Sequence, residues 1–457
     1  MLDGVKRLHF MGIGGIGVSA VARIAIGRGF EVSGSDVRRS QLTDAMQALG
    51  ARVTIGQRAE NVEGADVVVL STAIPETNPE LVAAREQGMR IIHRSEILAH
   101  FVQETPFGIG VTGTHGKGSV STMITRILDA ADKDPGFIIG GLLIDYGVNA
   151  RAGGGQYLVA EVDESDGSHR NVPVSHMVCN FLEADHLNYY KDLEDIISSM
   201  AAAVEGWERL QGLYLNLDCA GNRELAQRVK LQPVTYGTTD DVQWRGELLS
   251  TGQRPIRFRV WHKGEEFGDF EVPVAGRYNM TNALAAIAVA HDLGVSAQAM
   301  REGLAGCHGL ENRFTIEEAD GVHIVKDYNS HPTAMRQVLA NARDLGDGRI
   351  FSVFKPYRYT LINYLKDEYA TAFVGSHEVI ITTMYAANED PIPGIDTQYF
   401  VDLLREQGHQ VTYLEDQNEV TSYLESQVQS GDVALFFGGD DFFQMADAWA
   451  SRRNARG

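Results

Sequence analysis

The chain has 457 residues, and its 40 Lys and Arg against 61 Asp and Glu give a formal net charge of −21. This length predicts two to four domains, each with its own core. The acidic balance argues against nucleic-acid binding through a broad basic surface, and no run reaches the roughly 18 apolar residues of a membrane span. The three cysteines, Cys179, Cys219 and Cys307, lack the spacing of a disulfide framework or a zinc motif, as is usual in a reducing cytoplasm. We therefore expect a cytoplasmic protein, and from its charge and apolar runs we expect neither nucleic-acid nor membrane partners.

The first hundred residues predict a Rossmann-like domain. Apolar runs indicate strands at residues 6–11, 30–34 and 67–70. A helical pattern at residues 18–29 follows the first strand. The candidate ligand-binding residues lie at the turns after these strands: Gly12, Gly14, Gly15, Gly17, Ser35, Asp36, Ser71 and Thr72. The glycine turn with Asp36 at the ribose-binding distance is a dinucleotide fingerprint, which makes an NAD-dependent dehydrogenase one hypothesis. The loop at residues 71–78 is either part of this pocket or a helix cap before Pro79.

A second glycine turn lies between a predicted strand at residues 107–111 and a predicted helix at 120–131. It is formed by Gly113, Thr114, His115, Gly116, Lys117, Gly118 and Ser119. Backbone N–H groups and the helix dipole at such a turn face an anion, and Lys117 adds a full charge. The strict P-loop pattern fails at Val111 and at Gly118, so a plain strand–helix turn with a solvated lysine is the alternative.

Two later segments read as strands that end in acids. Residues 157–165 contain Glu161, and residues 177–186 end at His186. If these strands are parallel neighbours of the strand at 107–111, their carboxyl ends meet beside Lys117. The hydroxyl of Ser119, the carboxylate of Glu161 and the imidazole of His186 are then acceptable Mg²⁺ ligands. The alternatives are a helix-capping acid and a hydrogen-bonded loop histidine.

The rest of the chain predicts more α/β structure. Residues 242–274 alternate as antiparallel strands do, and a long helix follows over 279–293. Five further strands are predicted, each followed by a helix, near 322–326, 350–354, 378–383, 410–414 and 432–437. We therefore predict an α/β protein of three domains: a Rossmann-like domain (1–105), a central P-loop ATPase domain with a mostly parallel sheet plus a small antiparallel sheet (106–312), and a second Rossmann-like domain (313–457).

Several motifs resemble the Mur ligases, the ATP-dependent amino-acid ligases of peptidoglycan synthesis. The central ones are Gly113-Thr-His-Gly-Lys117, Ala160-Glu-Val-Asp-Glu-Ser-Asp166 and Glu183-Ala-Asp-His186. Others resemble the branch that joins L-alanine to UDP-N-acetylmuramate, at residues 9–19, 136–141, 147–151, 276–282, 312–314, 327–332 and 358–360. The resemblance covers nearly the whole chain.

The resemblance implies a UDP-sugar on the first glycine turn, ATP and Mg²⁺ in the central domain, and the amino acid on the last domain. Lys117 would contact the ATP phosphates, and Ser119, Glu161 and His186 the metal. Asn279 and Asn282 would meet the adenine, although helix capping is an equal alternative for both. Arg313 and Arg358 would stabilise the transferred phosphoryl group, and Asp327, His331 and Arg358 would present the amino acid. A strand-end cap and a surface ion pair are the alternatives for Asp327 and Arg358.

The chain also departs from that branch. Gly118-Ser119 replaces a run of threonines, as in folylpolyglutamate synthases, and Lys355-Pro-Tyr-Arg-Tyr-Thr-Leu361 lacks one arginine. We predict a monomeric or homodimeric ATP-dependent ligase that forms an amide between the carboxylate of a UDP-N-acetylmuramate-type substrate and an amino acid, first L-alanine, through an acyl phosphate. A specialised member that ligates another amino acid or peptide is the first alternative, and a non-catalytic binding protein is the second.

Overall fold

The structure is a computed structural model that describes residues 2–165, 167–250, 255–387 and 389–455. Asp166, the last residue of one predicted motif, and residues 456–457 of the polar tail lie outside this range. Three α/β units follow one another along the chain, as predicted. Each is built on one sheet, whereas we predicted a separate small antiparallel sheet in the central unit. No helix in the described segments is long and apolar enough to cross a membrane.

The first unit is a parallel five-stranded sheet with four α-helices and a short 3-10 helix at Ala59–Val62. Its elements are β1 (Arg7–Met11), α1 (Ile16–Gly27), β2 (Glu31–Asp36), α2 (Gln41–Ala48), β3 (Arg52–Ile55), β4 (Val67–Leu70), α3 (Pro79–Glu86), β5 (Arg90–His93) and α4 (Arg94–Glu104). The strand order is β3-β2-β1-β4-β5. Strand β2 extends to Asp36, beyond the predicted end at residue 34. The side chain of Asn78 caps α3, in which Pro79 takes the first position.

The second unit is a ten-stranded sheet. Its strands are β6 (Phe107–Thr112), β7 (Gly136–Leu143), β8 (Val148–Arg151), β9 (Tyr157–Glu161), β10 (His176–Cys179), β11 (Gly212–Asn216), β12 (Val234–Gly237), β13 (Trp244–Ser250), β14 (Ile256–His262) and β15 (Glu265–Val272). Its helices are α5 (Lys117–Ala130), α6 (Leu193–Gly206), α7 (Ala220–Arg228), α8 (Tyr278–Asp292) and α9 (Ala297–Ala305).

The strand order in this sheet is β15-β14-β13-β12-β11-β10-β6-β9-β7-β8. Strand β6 lies between β9 and β10 and is parallel to both, as the prediction of a shared edge required. The antiparallel strands β13–β15 continue the same sheet, because β13 pairs in parallel with β12. Helix α1 of the first unit packs against β7 and β8. The carboxyl ends of β6, β9 and β10 therefore form one edge where ligands can collect.

In the described part of the third unit there are six strands and six α-helices. The elements are β16 (Thr315–Ala319), β17 (Val322–Asp327), α10 (Pro332–Arg343), β18 (Ile350–Phe354), α11 (Tyr359–Tyr364), α12 (Lys366–Ala372), β19 (Glu378–Ile381), α13 (Thr397–Glu406), β20 (Val411–Tyr413), α14 (Glu419–Gln427), β21 (Val433–Phe437) and α15 (Asp440–Asn454). The order is β16-β17-β21-β18-β19-β20, parallel except for β16. Strand β16 was not predicted; Asp320 and Gly321, both at positive φ, form its hairpin turn with β17.

Candidate active site

The turn between β6 and α5 is built for an anion. Gly116 is the N-cap of α5 at φ 79°, and no side chain caps the first turn of this helix. Its leading N–H groups therefore remain available to a ligand, and the helix dipole favours negative charge there. A Cβ on Gly116 would lie 2.3 Å from Asn180 Nδ2 and 2.7 Å from Asn282 Oδ1, so the close approach of these amides requires glycine.

Lys117 points back across this turn to a buried acid. Its Nζ donates to Gly113 O at 2.9 Å and to Glu164 Oε1 at 2.9 Å. Burial by itself would lower the pKa of Lys117, but the charges of Glu164, Asp163 and Glu161 raise it above its ordinary value. Lys117 is therefore a permanent cation at the carboxyl edge of the sheet.

Three potential metal ligands surround this lysine. The ligand atoms of Asp163, Glu164 and His186 all lie within 4.8 Å of one another. His186 has φ 53°, a strained conformation for a non-glycine residue, and its Nε2 lies 3.5 Å from Glu164 Oε1. Burial alone would lower the pKa of His186, but the charges of Asp185 and Glu164 raise it. Carboxylates with one imidazole fit a divalent cation, which would neutralise phosphate charge when bound.

The predicted metal set was Ser119, Glu161 and His186, and the structure arranges these residues differently. Glu161 Oε2 accepts a hydrogen bond from Gly140 N at 2.7 Å, and a Cβ on Gly118 would lie 3.5 Å from that oxygen. Ser119 and Glu161 line the same cleft as Lys117. Within the described residues, however, the ligand atoms that cluster with His186 belong to Asp163 and Glu164. The assignment of Ser119 and Glu161 to a metal stays a prediction.

One cleft collects most of the residues predicted for catalysis and for ATP. Those that line it are Thr114, His115, Gly116, Lys117, Gly118, Ser119, Glu161, Asn282, Arg313, Asp327 and His331. Gly113, His186, Asn279 and Arg358 are not among its lining residues. The central and last predicted domains therefore face each other across this cleft.

An amide network forms the wall of the cleft beneath the glycine turn. Asn180 Nδ2 donates to Asn282 Oδ1 at 2.8 Å and to His115 O at 3.1 Å. Asn282 Nδ2 donates to Asn279 Oδ1, and Asn279 Nδ2 donates to Ala275 O. The N-cap of α8, Arg277, makes no side-chain capping bond, so neither predicted asparagine caps the helix. The role of the two asparagines in adenine binding stays a prediction.

Arg313 and Asp327 lie together at the third unit's side of the cleft. Arg313 Nη1 donates to Asn329 Oδ1 at 3.2 Å, and its neighbours Asn312 and Phe314 have positive φ values of 58° and 49°. Asp327 holds this strained turn, since its carboxylate accepts from Phe314 N at 2.9 Å and from Asn329 N at 2.8 Å. Burial raises the pKa of Asp327. Asp327 thus positions Arg313 in the cleft.

His331 joins the third unit to the central one. Its Nδ1 accepts from Thr333 N at 3.3 Å as the N-cap of α10, and its Nε2 donates to Ala184 O at 3.2 Å. Burial, together with the nearby His115, lowers the pKa of His331 to about 4. His115 in turn donates to Glu183 Oε2 at 2.8 Å. His331 is therefore neutral, and both ring nitrogens are occupied.

Arg358 lies beside the loop that follows His186. Its Nη1 donates to Asn188 Oδ1, and the Nε is buried without a hydrogen-bond partner within the described residues. Arg358 has φ 63°, and its nearest carboxylate in an ion pair is Glu389 at 3.9 Å. A guanidinium N–H without a hydrogen-bond partner, on a strained backbone, is typical of an anion-binding site.

The first glycine turn makes a second open site. Gly15 is the N-cap of α1 and provides no side-chain cap. Asp36 Oδ2 accepts from Gly14 N at 2.9 Å, and the Ser35 hydroxyl donates to the buried Glu80 at 2.6 Å. Ser71 begins the loop whose Ile74 packs toward Gly12, while Thr72 is exposed. Ser35 and Asp36 therefore support the turn itself, and their contact with a ligand stays a prediction.

The sequence interpretation did not assign several residues that complete the site. They are Arg94, Asp163, Glu164, Asn180, Glu183 and Asp185. Four of them lie within the motifs 160–166 and 183–186, where a run of acids is visible but the residue that faces Lys117 is not. Glu164 follows Glu161 by three residues, beyond the end of β9. The bend of the chain after that strand, which sequence does not reveal, brings Glu164 to Lys117.

Three family models match the chain in order. They are the Mur ligase family catalytic domain (residues 7–105), the Mur ligase middle domain (111–290) and the Mur ligase glutamate ligase domain (312–439). UDP-N-acetylmuramate–L-alanine ligase of Bradyrhizobium diazoefficiens is 37% identical over 462 residues, which cover 99% of each chain. The crystal structure of UDP-N-acetylmuramate-alanine ligase from Thermotoga maritima superposes with a TM-score of 0.83 at 24% identity and covers 99% of this chain and 100% of its own.

A further solved structure comes from Neisseria meningitides, the UDP-N-acetylmuramate:L-alanyl-gamma-D-glutamyl-meso-diaminopimelate ligase. It is 27% identical, with a TM-score of 0.62, over 67% of this chain and 100% of its own. Fold, phosphate turn and facing domains together define an ATP-dependent acid–amino-acid ligase. The chain belongs to the Mur ligase family.

Proposed function

We propose that the chain joins the carboxylate of UDP-N-acetylmuramate to L-alanine with cleavage of ATP to ADP and phosphate. One observation carries this proposal: Lys117 of the phosphate turn shares a cleft with Arg313, Asp327 and His331 of the third unit. A phosphoryl donor and an amino acid held on opposite walls of one cleft can react with the same carboxylate. The names of the relatives give the substrates.

The chemistry requires two steps. A carboxylate oxygen of the sugar attacks the γ-phosphorus of ATP, a P–O bond forms, and ADP leaves. The amine of alanine then attacks the carbonyl carbon of this acyl phosphate, and a C–N bond forms as the nitrogen releases a proton. The C–O bond to the phosphoryl group breaks, and inorganic phosphate leaves with the bond electrons. Lys117 and the free N–H groups of α5 would hold phosphate oxygens throughout, because phosphoryl transfer depends mainly on positioning and charge neutralisation.

Mg²⁺ is part of the proposal. Asp163, Glu164 and His186 would hold it, with the predicted ligands Ser119 and Glu161 lining the adjoining cleft. When bound, the cation would neutralise charge on the β- and γ-phosphate oxygens. Asn279 and Asn282 would bind adenine, and the N-terminal turn would bind the UDP-sugar. We further propose a cytoplasmic monomer or homodimer.

A second candidate function is ligation of a different amino acid or of a peptide. It is favoured by the segment after β18, where this chain carries Lys355 and Tyr357. Lys355 Nζ donates to Asp441 Oδ2 at 2.6 Å and lies 5.7 Å from the rings of Tyr385 and Phe442. This ion pair begins directly after β18, in the segment where the sequence departs from the alanine-ligating branch.

Phosphate release from Mg–ATP with UDP-N-acetylmuramate, measured across the proteinogenic amino acids, diaminopimelate and a muropeptide-type tripeptide, tests both candidates. Alanine-dependent release, with mass detection of the UDP-muramoyl-alanine product, is the expected result. Turnover only with another amine would replace alanine by that amine. Binding of UDP-N-acetylmuramate without turnover by any amine would make the chain a non-catalytic binding protein.

A further inference from the structure

Arg94 connects the two glycine turns. It is the first residue of α4, directly after the end of β5, and its side chain is 25% exposed. A Cβ on Gly17, in the first turn of α1, would lie 3.0 Å from Arg94 Nη1. Its Nη2 donates to Asp163 Oδ2 at 3.3 Å, within the acid cluster beside Lys117. One guanidinium thus reaches from the nucleotide-sugar turn to the phosphoryl-transfer centre.

Local structure gives no reason for a cation at this position. A positive charge in the first turn of a helix opposes the helix dipole, so a neutral residue would suit α4 better. The ion pair with Asp163 is also long, since strong guanidinium–carboxylate bonds measure about 2.7–2.9 Å.

The negative charges around Lys117 indicate which ligand Arg94 can bind. The acids Glu161, Asp163 and Glu164 surround Lys117, whose charge is already shared with Glu164. A substrate carboxylate that enters from the first domain meets these negative charges and needs a cation on its own side. Arg94 stands on that side, and its fork matches the geometry of a carboxylate.

We propose that Arg94 exchanges Asp163 for the carboxylate of the nucleotide sugar and so places the reacting group beside the Lys117–Glu164 pair. The inference rests on the proposed function and assigns a substrate-binding residue within it. Selectivity then arises at Arg94: a UDP-sugar without a carboxylate leaves the Asp163 ion pair intact, whereas UDP-N-acetylmuramate replaces it.

Equilibrium binding of UDP, UDP-N-acetylglucosamine and UDP-N-acetylmuramate, in EDTA and without ATP, tests the assignment. Arg94→Gln should weaken UDP-N-acetylmuramate binding roughly 10- to 100-fold, the loss expected for a charged hydrogen bond, and change the other two less than about twofold. The matched control is Arg28→Gln at the opposite end of α1, where Arg28 pairs with Glu104 at 3.3 Å and is 22% exposed. Arg28→Gln should leave all three affinities unchanged.

Asp163→Asn provides an independent variant, should Arg94→Gln fail to fold. It frees Arg94 and should increase the preference for UDP-N-acetylmuramate over UDP-N-acetylglucosamine, and an unchanged preference overturns the exchange. Equal weakening of all three ligands by Arg94→Gln would assign Arg94 to the diphosphate and overturn the carboxylate assignment. No weakening would reduce Arg94 to an interdomain ion pair. A wild-type protein that binds none of the three ligands would overturn the proposed function itself.

Discussion

At the scale of single residues, the Lys117–Glu164 pair organises the centre. Glu164 is 3% exposed, and it accepts from Lys117 at 2.9 Å and from the Thr112 hydroxyl at 3.3 Å. Burial would raise the pKa of Glu164, but Lys117 lowers it. A buried ion pair of this kind costs desolvation, so either member alone is strongly destabilising. Glu164 therefore keeps Lys117 charged in a position that phosphate oxygens can approach.

Removal of the Glu164 carboxylate should destabilise the protein, because Lys117 depends on it as a counter-charge. Glu164→Gln leaves Lys117 without its direct counter-charge and should lower the free energy of unfolding by about 3 kcal/mol, as measured by urea denaturation at pH 7. The control is Glu208→Gln at an exposed position, which should change it by less than about 0.5 kcal/mol. Equal effects of the two variants would mean that Asp163 and Glu161 suffice as counter-charges.

His331 gives the site a pH dependence. The folded protein holds His331 neutral, with its pKa lowered to about 4, whereas the unfolded chain protonates it near 6.5. The unfolded state therefore binds more protons between these values, and stability falls as the pH drops from 6.5 toward 4. The full effect of one such group is about 3 kcal/mol across that window.

His331→Asn isolates this effect, because asparagine keeps an N-cap acceptor for α10 and does not titrate. We expect the unfolding free energy of the variant to fall less steeply than that of the wild type from pH 6.5 to 5. His186, whose pKa is raised, acts in the opposite direction in both proteins. Parallel pH profiles would show that His331 is not the titrating group.

At the scale of elements, α1 fastens the first unit to the central sheet. Asn149 on β8 is fully buried, and its Nδ2 donates to Ile16 O at 2.8 Å and to the Ser19 hydroxyl at 3.1 Å. A Cβ on Gly27 would lie only 2.6 Å from Ala152 Cβ, so the helix end packs closely on the residue after β8. This contact fixes the first glycine turn relative to the turn between β6 and α5.

Asn149→Ala should loosen this contact. Ser19 Oγ, which is buried, loses the bond from Asn149 Nδ2, while Ile16 O keeps the bond from the Ser19 hydroxyl at 3.0 Å, so the free energy of unfolding should fall by about 1–3 kcal/mol. Hydrogen exchange should rise in α1 and β8 before it rises in the third unit. Asn454→Ala, at an exposed position in α15, serves as the control. Uniform exchange across the three units would argue against a local fastening role.

Element predictions succeeded where the pattern was local. The strand at 350–354 is correct to the residue, and the apolar run at 107–111 is β6, extended by one residue to Thr112. Strand β16 was not predicted because its apolar–polar alternation is weak, since the polar residues Glu317 and Glu318 are adjacent. The feature of the sequence that indicates this strand is the hairpin turn at Asp320-Gly321. The hydrophobic period of a sequence predicts a strand with a buried face, whereas the formation of a short edge strand depends on the strand with which it pairs.

At the scale of the whole molecule, hydrogen bonds join the third unit to residues 183–188 of the central unit. They include His331 with Ala184, Thr333 with Glu183, and Arg358 with Asn188. Each is a hydrogen bond between polar groups, and polar interfaces between domains permit domain motion. We expect closure over the substrates to exclude water from the acyl phosphate, which would otherwise hydrolyse.

Small-angle scattering tests this closure. A compact chain of this length has a radius of gyration of about 23 Å. An ATP analogue together with UDP-N-acetylmuramate should bring the radius of the ligand-free protein down toward that value. UDP alone, which we propose binds to the first unit only, is the control and should leave the radius unchanged. An identical radius with and without both ligands would contradict closure.

The sequence by itself determined the α/β class, the phosphate turn and the order of the three units, because strand period, glycine spacing and helix starts are properties of adjacent residues. It also indicated which segments end in acids. Only the tertiary structure decided that Glu164 faces Lys117, that Asp163 and Glu164 gather around His186, and that Arg94 reaches between the units. Those contacts join residues far apart in the chain, and strand order and loop path, not spacing, bring them together.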